Sequence, residues 1–403
     1  MRDQPAMKRH RIMKNYACSK CGNKVYFENV QCVRCGADLG FDPERLAIVA
    51  LESTPENIGT YRPIGHEGVD LRYCANAIHA ACNWLTPADT GDGFCRACDL
   101  NRTIPDLSAN GNLSAWQELE RAKKRLVYDL LRFGLPLDTT ATGGERLAFD
   151  FLVNAATGHL DGVITINVLE ADAVERERQR QQFGEPYRSL LGHLRHESGH
   201  FYWNVLIAAT GQQEAFRALF GDEREDYGSA LARHHAEGPP PDWSTRHVSA
   251  YASAHPWEDW AETWAHYLHM VSSIDTAQAE GMEPRASGLL FGAAWPFKAY
   301  DVHREETFDA LMERWIPLTI ALNNMSRGMG HTDFYPFVIP AAACDKLAFV
   351  HRMIREYVAN PPHIAHVPAL ASDSAPSPLP ASGQPARPAS GRSLIGRVYD
   401  RLK

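Results

Sequence analysis

The chain has 403 residues, 44% apolar and 22% charged, the composition of a globular protein long enough for two or three domains. Its formal net charge of −8 argues against a dedicated nucleic-acid binder, and no long apolar run marks a transmembrane helix. The basic N-terminus lacks an apolar core and so does not read as a secretory signal. The nine cysteines are therefore expected in a reducing cytoplasm, where regular spacing points to metal ligation.

All the cysteines but Cys344 fall between Cys18 and Cys98. Cys18-x2-Cys21 and Cys32-x2-Cys35 form two knuckles, each followed by a glycine (Gly22 and Gly36) that lets backbone N–H groups fold toward the thiolates. Four thiolates suit a closed, tetrahedral structural zinc. The second quartet, Cys74, Cys82, Cys95 and Cys98, contains one proper knuckle, and His79 or His66 stands as an alternative to Cys74 or Cys82. Two modules follow, a zinc ribbon over 1–43 and a second cysteine-rich unit over 44–105. Each is too small for a large core, so one or two structural zinc ions would supply much of their folding free energy. The ribbons also offer a surface for docking protein or nucleic acid.

Beyond Pro105, residues 114–133 predict an amphipathic helix with Ser114 as N-cap and Gly134 as stop. Residues 147–153 and 162–169 (GVITINVL) read as strands. Helices are expected near 171–182, over 187–207, within 208–235, over 257–271, over 303–325 and over 341–358. The stretch 361–392, rich in Pro, Ala and Ser, reads as a flexible linker, and 393–403 as a short amphipathic helix.

The run His196-Glu197-Ser198-Gly199-His200 carries the chemistry. Two histidines four residues apart share one helix face and can hold one zinc ion, with Glu197 in reach of its water. So short a motif also arises by chance, and its context has to support it. On a helical projection His193, His196, Glu197 and His200 share one side, while Leu191, Leu194, Phe201 and Val205 share the other. A catalytic zinc takes three protein ligands, and the segment HPWEDWAETWAHYLHM supplies the third. Glu258 is expected as ligand and Glu262, one turn on, as the outer carboxylate that accepts an imidazole N–H; the reverse assignment stays open.

HESGH followed by Glu-x-x-Ala-Glu resembles the gluzincin metallopeptidases, and most closely the catalytic domain of the anthrax lethal factor type. That type places a tyrosine seven residues before the ligand glutamate, which Tyr251 matches in YASAHPWE. The stretches CDLNRTIPDL, FGDEREDYGSAL, HPWEDWAETWAHYLHM and NNMSRGMGHTDFYPFVI resemble a bacterial family of zinc-binding metallopeptidases with an N-terminal zinc ribbon. The resemblance implies an α+β, mainly helical, gluzincin-like domain with a small edge sheet over 106–360. It implies hydrolysis of a peptide or protein substrate by zinc-activated water, with Glu197 as general base and Tyr251 stabilising the oxyanion. The strand GVITINV is a candidate to pair with extended substrate. The rival expectation is an adaptor that binds protein or nucleic acid through its ribbons, with an inactive or partner-dependent peptidase domain.

Overall fold

The computed structural model describes residues 16–54, 57–66, 68–182, 185–282 and 301–361. The basic N-terminal tail, and the expected linker and terminal helix from residue 362 onward, lie outside the described residues. The architecture is α+β, a helical C-terminal region with a small sheet preceded by a strand-rich region holding two four-cysteine groups.

In the N-terminal region Tyr16–Ala17 (β1) pairs antiparallel with Lys24–Val25 (β2) around the first knuckle. Gly22 and Gly36 have φ of 72° and 69°, the left-handed conformation that explains glycine after each second cysteine. Asp38–Asp42 (β3), Ala47–Ser53 (β4), Tyr61–Pro63 (β5), Leu71–Tyr73 (β6) and Leu85–Pro87 (β7) form an antiparallel sheet in that order. The Phe41 N–H donates to the Asn83 carbonyl at 2.9 Å, which brings the far end of this sheet back to its first strand.

The C-terminal region carries the sheet β10-β11-β9-β8, made of Asn101–Thr103 (β8), Ala148–Leu152 (β9), Gly158–Leu160 (β10) and Val163–Asn167 (β11). Strands β8 and β11 run parallel to β9, and β10 runs antiparallel to β11. GVITINV is therefore an inner strand with both edges paired, so it cannot receive an added substrate strand. A tight turn at Asp161 and Gly162, both at positive φ, folds β10 back over the side expected to be free.

The helices are Asn112–Phe133 (α1), Ala173–Gln182 (α2), Leu190–Trp203 (α3), Gln213–Phe220 (α4), Tyr227–Glu237 (α5), Pro256–Ala279 (α6), Phe308–Gly328 (α7) and Ala341–Ala359 (α8). Helix α1 stops at Gly134 as expected, with φ 79°. It starts two residues before Ser114, whose hydroxyl donates back to the Gly111 carbonyl at 2.9 Å instead of capping. Helix α3 runs on into a π-helical turn, Asn204–Ala208.

One core joins the two regions. Phe27 and Phe41 stack edge-on at 4.9 Å, Phe41 meets Trp84 at 4.5 Å, and Phe27 meets Tyr128 of α1 at 5.4 Å. Beside them, buried Lys123 and Lys124 of α1 pair with buried Glu120 at 2.7 and 3.1 Å. The Glu120 carboxylate lies 3.6 Å from the Cys98 sulfur, so α1 places fixed charges beside the second cysteine group. Trp84→Ala would empty the centre of this shared core and is expected to cost about 3–5 kcal/mol. Thermal unfolding of the full chain should then show both regions melting together at lower temperature. Independent melting of the helical region at its original temperature would contradict a shared core.

Candidate metal centre and active-site cleft

Ser189 starts helix α3, its hydroxyl accepting the Gly192 N–H at 3.0 Å, and sets which face the following residues occupy. The helix crosses α6 at Gly199. A Cβ there would stand 2.9 Å from the Ala261 Cα and 3.1 Å from the Trp264 Cδ1. Two indoles lock this crossing, Trp260 donating to the Gly199 carbonyl at 2.8 Å and Trp264 to the Ser198 hydroxyl at 3.1 Å. Behind it, Arg195 donates to Asp129 of α1 at 2.6 Å and to Ser272 of α6 at 2.7 Å.

This packing turns His196 and His200 toward Glu258, with one potential ligand atom of each within 4.8 Å of the others. Glu258 Oε2 lies 3.0 Å from His196 Nε2, and Oε1 lies 3.6 Å from His200 Nε2. The other His196 nitrogen, Nδ1, meets Glu262 Oε1 at 2.7 Å, and Glu262 Oε2 accepts the Ser249 hydroxyl at 2.6 Å. Neutral His196 that donates Nδ1–H to Glu262 aims a lone pair at Glu258 Oε2, a buried oxygen without a hydrogen bond. Two acceptors facing each other at that distance call for positive charge between them, a proton or a metal ion, and two imidazoles plus one carboxylate suit zinc.

Electrostatics show the same demand for positive charge: against the opposing effect of burial, Glu258 and Glu262 raise His196 well above the usual imidazole value, and a bound metal would supply that charge in place of the proton. Burial opposes ionisation of Glu258, but His200, His196 and the Tyr227 hydroxyl outweigh it and hold its pKa down to about 2. Burial pushes His200 down to about 3, which keeps the imidazole neutral as a ligand should be. Glu197, buried beside the group, is pushed up to about 7 chiefly by loss of solvent. Tyr251 sits with its ring 6.0 Å from His196, and burial followed by the charge of Glu258 holds its phenol well above the usual value. A cleft of about 910 Å³ opens along His193, His196, Glu197 and Tyr251 and is walled on one side by Tyr187 and Phe337.

Residues 112–353 match the family described as "Putative zinc-binding metallo-peptidase", and residues 15–109 match a zinc-ribbon domain. The chain belongs to this metallo-peptidase family. Uncharacterized proteins of Mycobacterium tuberculosis and Mycobacterium bovis are 39% identical to it over 350 residues, spanning 85% of this chain and 96% of theirs. No solved structure matches it.

The N-terminal cysteines gather into two groups, Cys18, Cys21, Cys32, Cys35 and Cys74, Cys82, Cys95, Cys98. The second is a set of four thiols, and the His79 ring packs on Trp116 at 5.8 Å instead of joining it. His255 caps α6 by accepting the Trp257 N–H at 3.1 Å, and His266, which lines the cleft, bonds the Tyr335 hydroxyl at 2.6 Å. His234 and His235 also line the cleft.

Tyr227, Ser249 and Trp257 are the contributors that motif reading missed. Trp257 covers His200 with ring centroids 4.1 Å apart, and Tyr227 donates to Glu258 Oε1 at 2.6 Å. No periodicity links Tyr227 to a glutamate on another helix; its one signal was membership of the stretch FGDEREDYGSAL. Because Tyr227 occupies Oε1, Tyr227→Phe should lower zinc affinity by roughly 10–100-fold, measured by competition with a chelator. Gly199→Ala forces α3 and α6 apart and should cost about 1–3 kcal/mol together with the bound metal. Full zinc retention at unchanged stability would contradict the close crossing.

Proposed function

We propose that this chain is a zinc-dependent peptidase of the gluzincin type. His196, His200 and Glu258 would hold the metal, and Glu262 would orient His196 through its Nδ1–H. The observation that carries this reading is the buried Glu258 oxygen set 3.0 Å from His196 Nε2 without a hydrogen bond. The seven-residue offset between Tyr251 and Glu258 supports the lethal factor type of site. Zinc bound there would supply Lewis-acid activation of water and of a peptide carbonyl.

The chain's own residues do the rest. Glu197, one residue from a ligand and lining the cleft, takes the proton of the attacking water and passes it to the leaving amine. Tyr251, held in its protonated form, donates a hydrogen bond to the oxyanion. Trp257 packs on the His200 ring and limits water there. The substrate class is a peptide or protein segment that lies along the cleft.

The two cysteine groups are assigned structural zinc, the first within the ribbon 1–43 and the second within 44–105. All nine cysteines are free, and the buried Lys124 lies beside the second group to balance the charge of a tetrathiolate. No helix among the described residues is long and apolar enough to cross a membrane. The aromatic packing of both modules on α1 favours a peptidase built around them over a tethered adaptor.

Zinc per chain and peptide-library cleavage test the assignment. His196→Ala should lose one zinc, and unchanged metal content would defeat the ligand set. Glu197→Gln should keep all the zinc while turnover falls by about 10²–10⁴-fold. Cleavage equal to wild type by that variant would defeat the mechanism.

A further inference from the structure

His193 has no part in the ligand set, yet it stands on the same face of α3. With about 100° per residue it falls at about 60° from His196, between His200 at about 40° and Glu197 at about 100°. Helical side chains lean toward the N-terminus, so Glu197 inclines toward the turn that carries His193. Both line the cleft.

The His193 ring is not free to swing. Its Nδ1 hydrogen-bonds Glu170 Oε2, and Glu170 sits in the tight turn Val168–Ala171 that follows β11. Glu170 is itself buried at 4% exposure, its other oxygen accepting the Thr157 hydroxyl at 2.5 Å, with Arg188 4.0 Å from Oε2. A carboxylate so deeply held costs desolvation unless its partners repay it, and a solvated surface pair would need none of this. The His193 side chain keeps 25% exposure, and its second nitrogen, Nε2, makes no hydrogen bond to a described residue. A carboxylate therefore fixes one nitrogen of an imidazole while the other remains for a ligand in the cleft, one helical turn from the proposed base.

We propose that His193 is a substrate-contacting residue of this cleft, binding the peptide main chain beside the scissile bond through Nε2, with Glu170 as its positioning residue. The proposal rests on the peptidase reading. Neutral His193 with Nδ1–H given to Glu170 offers Nε2 as an acceptor for a peptide N–H, and protonated His193 offers a donor to a peptide carbonyl. Either contact lies along the main chain, which every peptide presents, so it orients substrate without selecting side chains. Buried Glu170 holds the ring so that little rotational freedom is lost on binding.

Two zinc-directed probes separate this role from others on the zinc-loaded full chain. Acetohydroxamate reaches the metal alone, and a dipeptidyl hydroxamate adds a peptide main chain along the cleft. Wild type should bind the dipeptidyl probe more tightly. His193→Ala should lose about tenfold or more of that preference, the scale of one hydrogen bond, while zinc content and acetohydroxamate affinity stay unchanged. Glu170→Gln should lose part of the preference in the same way, and His193→Gln, which retains a polar tip, should recover some of it. If His193→Ala keeps the full preference, it makes no substrate contact and the proposal fails. Equal weakening of both probes, or loss of zinc, would make the pair a structural tie between α3 and the sheet. A wild type with no preference would overturn the peptidase reading and this inference with it.

Discussion

Helices α3 and α6 meet at Gly199 and Ala261, where one added methyl would stand 2.9 Å from the facing backbone. The candidate metal centre depends on that approach. Each helix alone carries only part of a ligand set: two histidines on one, two glutamates on the other. Held close, and locked by hydrogen bonds from Trp260 and Trp264, the pair brings three ligand atoms within 4.8 Å. The glycine inside HESGH thus has a packing duty as definite as the chemical duties of its neighbours.

The polar groups around the crossing are arranged in shells that oppose burial with partners. Glu262 meets His196 and Ser249, Tyr227 meets Glu258, and Lys346 of α8 meets Asp259 at 2.5 Å, the residue next to Glu258. Lys346 also donates to the Arg246 carbonyl at 2.9 Å, which anchors the loop that delivers Ser249 and Tyr251. Such outer contacts fix the tautomer of His196 and the orientation of both glutamates. Glu258 Oε2 is left out of this satisfaction, as is Asp259 Oδ1, and it is Glu258 Oε2 that lies 3.0 Å from His196 Nε2.

The cysteine-rich region contributes to the same body. Phe27 and Phe41 pack against Tyr128, Trp84 packs against both phenylalanines, and the charged cluster of Glu120, Lys123 and Lys124 stands beside the second cysteine group. Strand β8, from the same region, adds to the sheet that carries β9 to β11. Helix α1, which holds Asp129 against Arg195, is thereby braced by the cysteine-rich region.

Local rules account for much of what the chain displays in one dimension. Spacing of four placed His196 and His200 on one face, glycines marked both knuckles, and Gly134 ended α1, because each depends on backbone geometry within one turn. The same spacing singled out Glu258 with Glu262. What came only with the tertiary structure depends on residues far apart in sequence. Strand β10 folds back to cover the edge of GVITINV, Tyr227 reaches a glutamate on another helix, and Glu170 comes up beneath His193. The Cys74 quartet excluded His79 because that ring found Trp116 instead. Helix periodicity reports which way a side chain faces, and it is silent on what stands opposite. That partner is decided by how the helices and sheets pack.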